Sequence, residues 1–263
     1  MRIPLVLAFL AAISVEVGLP AVASLWAVGS LRVGWRVFGY GVLTFAVVGL
    51  VLLTPLTDWA TRGPVASSWG QAHAGRLGAV VALALATAVT EQIGRYLGFR
   101  LLFRDLRRTW RRAVVFGLGY GSLQSVYLVG LPAAMALVNV IVLPQVNPSS
   151  VAQTVGELMA LRAAKEHVAT MAVWLPLVDG AESALTLVLQ VGLSVLVVQA
   201  FLRSSRAWVL YAMGLHLAGQ LGVLLGDAYS RPLLGVLVLL PVAVGAAYWA
   251  LRLRPVPLPS TAS

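Results

Sequence analysis

The sequence predicts an all-α, polytopic integral membrane protein, a bundle of about seven transmembrane helices, and three observations carry that prediction. First, 60% of the 263 residues are hydrophobic and only 11% are charged, against roughly 25% charged in soluble domains. Second, apolar runs of about 18 residues or more recur along the whole chain, each long enough to cross a bilayer as a helix. Third, the net charge of +10 comes almost entirely from arginine, and the arginines gather in short breaks between those runs. Disorder is excluded because the chain is too apolar. Basic residues between spans suit anionic headgroups and topology control, so the lipid bilayer is the expected partner and nucleic acid is not. The chain has no cysteine, which excludes disulfides, thiolate nucleophiles and Cys-ligated metals. The preference for Arg over Lys, with abundant Ala, points to a GC-rich bacterial source.

The spans follow in order. The first is predicted over residues 3–28; Val22-Ala23-Ser24 has the small residues of a signal-peptide cleavage site, but the apolar stretch is too long for a signal core, so the span is read as retained. Arg32 and Arg36 separate it from the second, 37–56. The polar stretch Thr57 to Arg76 leads to the third, 75–94. From Arg95 to Arg112, arginines alternate with Tyr96, Leu97, Phe99, Leu101, Leu102, Phe103 and Leu106, a pattern that predicts a basic amphipathic helix lying on the inner leaflet. The fourth span is 113–142, and the stretch Pro144 to Ala169 precedes the fifth, 170–200. The sixth is 207–226 and the seventh 232–251. Pro132 and Pro176 predict kinks. A single transmembrane domain therefore covers residues 1–254, and the Pro/Ser-rich tail 255–263 is predicted to be disordered.

Orientation follows from the positive-inside rule. With the N-terminus outside, Arg32, Arg36, the arginines from Arg95 to Arg112, Arg203, Arg206, Arg252 and Arg254 lie inside. Only Arg2, Arg62, Arg76, Arg162, Lys165 and Arg231 lie outside. The expected location is the inner (plasma) membrane, with a cytoplasmic C-terminus.

Ionisable groups within spans are costly unless paired, so each is a candidate site residue. These are Glu16, Glu91, Asp179, Glu182 and His216, with Tyr120, Gln124, Gln190 and Gln220 as neutral polar companions. Glu91 and Arg95 are four apart and share a helix face, as do Tyr120 and Gln124, and His216 and Gln220. Glu182, Thr186, Gln190 and Ser194 form a stripe at one-turn steps. At 1.5 Å per residue, Tyr120 and Gln124 lie about 12 and 18 Å beyond Arg112, Gln190 about 20 Å before Arg203, and His216 and Gln220 about 15 and 21 Å beyond Arg206. Those five share one depth. Glu91, about 6 Å from Arg95, reads as shallower, and Glu182 falls near the opposite face beside Asp179. Interhelical hydrogen bonding accounts for such residues as readily as a functional pocket does. Glu157, Glu166, His167 and His73 lie outside the spans and read as solvated or interfacial. Gly117, Gly119 and Gly121 sit inside an apolar span with no preceding strand, so they read as helix packing or local unwinding rather than a nucleotide loop.

These residues carry a family resemblance. Thr90-Glu91-Gln92-Ile93-Gly94-Arg95-Tyr96-Leu97-Gly98-Phe99-Arg100 resembles the Glu-x-x-x-Arg motif of the YhfC family of bacterial intramembrane metalloproteases, related to the CPBP/CAAX-type membrane proteases. Trp110-Arg111-Arg112 with Phe116 to Gln124 resembles its second motif. Glu182 to Val197 and Leu215-His216-Leu217-Ala218-Gly219-Gln220 resemble the two later ones, so the similarity spans residues 90–222. The resemblance implies catalytic roles for Glu91, Arg95 and His216. It also implies His at the position of Tyr120, Glu at Gln124, His at Gln190 and Asp at Gln220, so this chain departs at four positions. A catalytic zinc needs about three good ligands and an open position. His216 and Glu91 are the only matching metal donors at the site, both weak candidates. The expectation is a catalytically degenerate member with no bound cofactor, binding a membrane segment or partner protein; zinc is implied only if the chain is active. Two alternatives stand beside it. One is an active peptidase acting on a membrane-protein or peptide substrate, with Glu91 as base and His216 as oxyanion donor or ligand. The other is a transporter subunit, against which the lack of an internal repeat counts.

Overall fold

The computed structural model describes residues 2–55 and 73–255. Residues 56–72, the side chains of His73 and Ala74, and the tail from 256 lie outside the described residues. Among those described, seven helices are long and apolar enough to cross a membrane: α1 (Ile3–Leu31), α2 (Trp35–Leu53), α3 (His73–Leu101), α4 (Trp110–Gln145), α6 (Leu175–Leu202), α7 (Ala207–Ala228) and α8 (Pro232–Arg252). Between the fourth and fifth spans, a one-turn helix at Pro148–Val151 precedes α5 (Val155–Thr170), which opens with a capping box between Thr154 and Glu157. Glu157, Glu166 and His167 are exposed on it.

Helix α6 is the centre of the bundle, packed against α4, α7 and α8, while α2 packs on α4 and α3 on α7. Its position follows from its sequence: beyond Asp179 and Glu182 in its first turns, the largely buried stretch from Leu187 to Ala200 is apolar apart from Gln190, Ser194 and Gln199, which can bond helix to helix. Helices α2 and α4 cross closely because Gly41 and Gly119 remove two side chains. A Cβ on Gly41 would collide with the Phe116 carbonyl, and one on Gly119 with the Phe38 carbonyl. Gly117 and Gly121 face α6, so the glycine string serves packing on both sides of α4.

Three spans contain π-helical stretches, Ala46–Leu53 in α2, Ser14–Gly18 in α1 and Val126–Gly130 in α4, and the last two are single widened turns. Each of these two turns is followed by Leu-Pro: Leu19-Pro20 and Leu131-Pro132. Proline has no N–H to give the carbonyl four residues back, so the ladder slips by one. Leu19 N–H bonds the Ser14 carbonyl and Leu131 N–H the Val126 carbonyl. Pro132 thus marks a widened turn within a continuous span. Pro176 does not kink its helix: it occupies the first turn of α6, where the missing N–H costs nothing.

The stretch from Arg95 to Arg112 corrects the expected surface helix. Helix α3 runs on to Leu101, and Arg95, Phe99 and Phe103 are fully buried. Phe99 and Phe103 pack with Phe116, the Phe99–Phe116 centroids 4.4 Å apart. Arg108 Nε donates to the Phe99 carbonyl at 3.0 Å, and Thr109 caps α4 by accepting from Arg112 N–H. The segment is a tight return into the bundle, with Arg100, Arg104, Arg107 and Arg111 exposed together with Leu97, Leu101 and Asp105. Arg95 can go inward because it finds a carboxylate and two amide carbonyls there.

Candidate functional site

Helix α3 contributes Glu91, Gln92 and Arg95, all buried. The i, i+3 and i, i+4 spacings bring Gln92 and Glu91 beside Arg95 on one face. Arg95 donates to Gln92 Oε1 at 3.0 Å and to Glu91 Oε2 at 3.3 Å. It also donates to Oε1 of Gln190 on α6. Gln190 Nε2 in turn donates to Gln124 Oε1 on α4 at 2.6 Å and reaches Glu91 Oε2 at 3.4 Å. A neutral amide suits this place because it accepts from a cation and donates to a carboxylate at once. The Arg95 guanidinium lies 3.9 Å from the Tyr120 ring centroid, a close cation–π contact. Tyr120 is braced from its other side by Phe45, edge to face at 5.1 Å. From α7, His216 Nε2 stands 3.8 Å from Glu91 Oε2, and its Nδ1 is 2.9 Å from Gln92 Nε2. Four spanning helices therefore meet in one polar network around a buried ion pair.

The hydrogen bonds fix the histidine tautomer. Arg95 can only donate, so the Gln92 oxygen must face it. The Gln92 NH2 then faces His216 and donates to Nδ1. A neutral His216 with Nδ1 as acceptor carries its proton on Nε2, the nitrogen that faces Glu91. Gln92 thus holds the imidazole as a donor toward the carboxylate. Sequence reasoning did not single out Gln92. The available signal was its i, i+3 relation to Arg95, which places it beside Glu91 on the same face.

Of the remaining expected residues, Tyr120 is fully buried and its hydroxyl has no hydrogen-bond partner among the described residues. Arg95 Nε is likewise buried without a partner. Gln220 is only half-buried, one turn beyond His216, and none of the network's hydrogen bonds reaches it. Glu182 is apart from the network: its carboxylate lies against Gly235 of α8, within electrostatic reach of Asp227 and Asp179. Glu91 is not shallow. A depth counted from Arg95 as the membrane boundary misplaces it, because Arg95 is buried and α3 continues past it to Leu101.

The donor set does not fit a zinc ion in this arrangement. Zinc takes about four ligands, drawn from thiolate, imidazole and carboxylate. Here one carboxylate and one imidazole are present, and no group of three His, Cys, Asp or Glu converges among the described residues. The imidazole's lone pair is engaged by Gln92. The Arg95 cation stands beside the one carboxylate, where a dication would be repelled.

No curated protein matches the sequence. A family model does match, over residues 15–225, most of the chain and all of the network described above. The chain belongs to the YhfC intramembrane metalloprotease family.

Proposed function

We propose that this protein is a catalytically degenerate member of its family that binds a membrane segment of a partner protein. One observation carries the reading: the residues around Glu91 form a closed hydrogen-bonded network that commits its carboxylate to Arg95 and its imidazole neighbour to Gln92. Neutral amides from Gln124 and Gln190 fill the positions where further metal donors would be needed. Beside the network, an apolar groove of about 430 Å³ runs between α2 and α3, lined by Leu43, Val47, Val48, Ile93, Gly94 and Leu97. Its chemistry suits an apolar helix. Positive charge is biased toward the side of Arg100, Arg104 and Arg252, which supports a cytoplasmic C-terminus in a plasma membrane.

Elemental analysis of the detergent-purified protein tests the first half of the reading. The expected result is zinc at background in both wild type and His216→Ala. About one zinc per chain, lost in His216→Ala, would overturn degeneracy. Photocrosslinking tests the second half. A photoreactive residue at Leu97 should trap a membrane partner, and one at Val244 on the α8 surface should not. Equal yields from both would remove the groove from the proposal.

A second reading has its own support. The Tyr120 hydroxyl is within electrostatic reach of Glu91 and His216 Nε2 stands 3.8 Å from its carboxylate, an arrangement that could serve a metal-free hydrolysis with Glu91 as base and the two donors at the oxyanion. It requires the carboxylate to leave Arg95. Cleavage of a reporter membrane segment that Glu91→Gln abolishes would favour this reading over the first.

A further inference from the structure

A second polar site lies away from the Glu91 network. Glu16 sits in the π-helical turn of α1 and is fully buried, yet neither carboxylate oxygen has a hydrogen-bond partner among the described residues. It lines a cavity of about 300 Å³ between α1, α4 and α6, and Asp179 of α6 lines the same cavity. No ion pair joins either carboxylate to a basic side chain among the described residues. The other walls are apolar and include Phe9, Ala133, Met171 and Leu175. Leu128 also lines it, and Pro132 deprives the Leu128 carbonyl of the amide an unbroken α-helix would supply.

The local backbone holds Glu16 in place. Pro20 likewise cannot donate to the Glu16 carbonyl, and that carbonyl accepts from Ser125 Oγ at 2.6 Å instead. Ser125 is bonded in turn to Ser183 of α6 at 2.6 Å. Gly130 lets the widened turn of α4 come against Val17 and Glu16. Paired π turns from two spans thus frame one acidic side chain, and such turns often mark ligand sites.

We propose that Glu16 and Asp179 bind the ammonium head of an alkylamine whose short apolar body fills the rest of the cavity. Two carboxylates supply the charge complement and hydrogen-bond acceptors, and the apolar walls supply the remainder. A hard metal ion is a poor match, because it asks for six or more oxygen ligands in a compact shell. A mostly apolar cavity with a few convergent polar groups has the character of a small-molecule site. The ammonium could belong to a free amine or to an ethanolamine lipid headgroup, which share this chemistry. The proposal is independent of how the Glu91 network is read.

Thermal unfolding of the full chain in phosphatidylcholine nanodiscs tests it, with n-hexylammonium as probe and n-hexanol as the uncharged control. The expected result is a rise in Tm with the amine and none with the alcohol. Glu16→Gln should weaken the amine's Kd by about tenfold or more. Asp179→Asn, at an exposed position, provides the same test should Glu16→Gln misfold. Replacing part of the phosphatidylcholine with phosphatidylethanolamine distinguishes the sources. A Tm rise that Glu16→Gln or Asp179→Asn removes would assign the headgroup as an occupant, and no rise would leave the free amine. Equal stabilisation by amine and alcohol, an amine effect that survives both substitutions, or no effect of either ammonium source would overturn the proposal.

Discussion

The Glu91 network and the Glu16 cavity treat a buried carboxylate in opposite ways. Glu91 faces a guanidinium, an amide N–H and an imidazole from three helices, so its charge is matched within the protein. Glu16 is as deeply buried and has no such partners among the described residues. The contrast separates a carboxylate that organises the fold from one that is left available to something else. An unmatched buried charge in a bilayer is expensive, so the second arrangement is the one that asks for a ligand or a proton.

Substitutions can break that comparison, and the largest effect is expected from Arg95. Arg95→Met leaves Glu91 buried without its cation and should cost about 3–5 kcal/mol, read by unfolding in mixed micelles. The double variant Arg95→Met with Glu91→Gln should recover much of the loss; additive losses would mean that the two side chains are not coupled. Next is the close crossing of α2 and α4. Gly119→Ala should cost about 1–3 kcal/mol through overpacking against the Phe38 carbonyl, by the same assay. Glu16→Gln should be neutral or stabilising in the absence of amine, because it removes an unmatched charge. Glu91→Gln should instead destabilise by about 1–3 kcal/mol, since a charge-assisted bond to Arg95 is lost. Losses of similar size at the two positions would erase the distinction between the regions. The smallest effect concerns protons. Nitrogen-15 shifts of labelled His216 should report the Nε2–H tautomer, and Gln92→Leu should release that preference. A wild-type Nδ1–H tautomer would contradict a chain of bonds running from Arg95 through Gln92 to His216.

Much of this was legible in the chain. Each predicted span has a helix in the structure, because an apolar run of this length has few other ways to satisfy its backbone in lipid. The pairings Glu91 with Arg95 and Glu182 with the Asp179 end of α6 followed from helical spacing alone. The stretch after Arg95 misled for a definable reason. Arginine ordinarily marks the end of a span, and no local pattern shows that Glu91, Gln92 and Gln190 can satisfy it inside. Gln92 escaped notice for the same cause: glutamine is an ordinary helix residue until its neighbours on α7 are known.

By itself the sequence determined the membrane class, the number of spans and their places along the chain, and the family motifs, since these depend on hydropathy, composition and the order of residues. Tertiary structure alone decided which polar groups meet. It directed Gln190 to both Arg95 and Gln124, set His216 as a donor toward Glu91, left Gln220 outside, and placed Glu16 and Asp179 on a common cavity. Those outcomes depend on how far each helix is rotated about its own axis and how closely it approaches its neighbours. Rotation and approach are fixed by contacts between residues far apart in the chain, such as Gly119 against Phe38 and Ser125 against the Glu16 carbonyl.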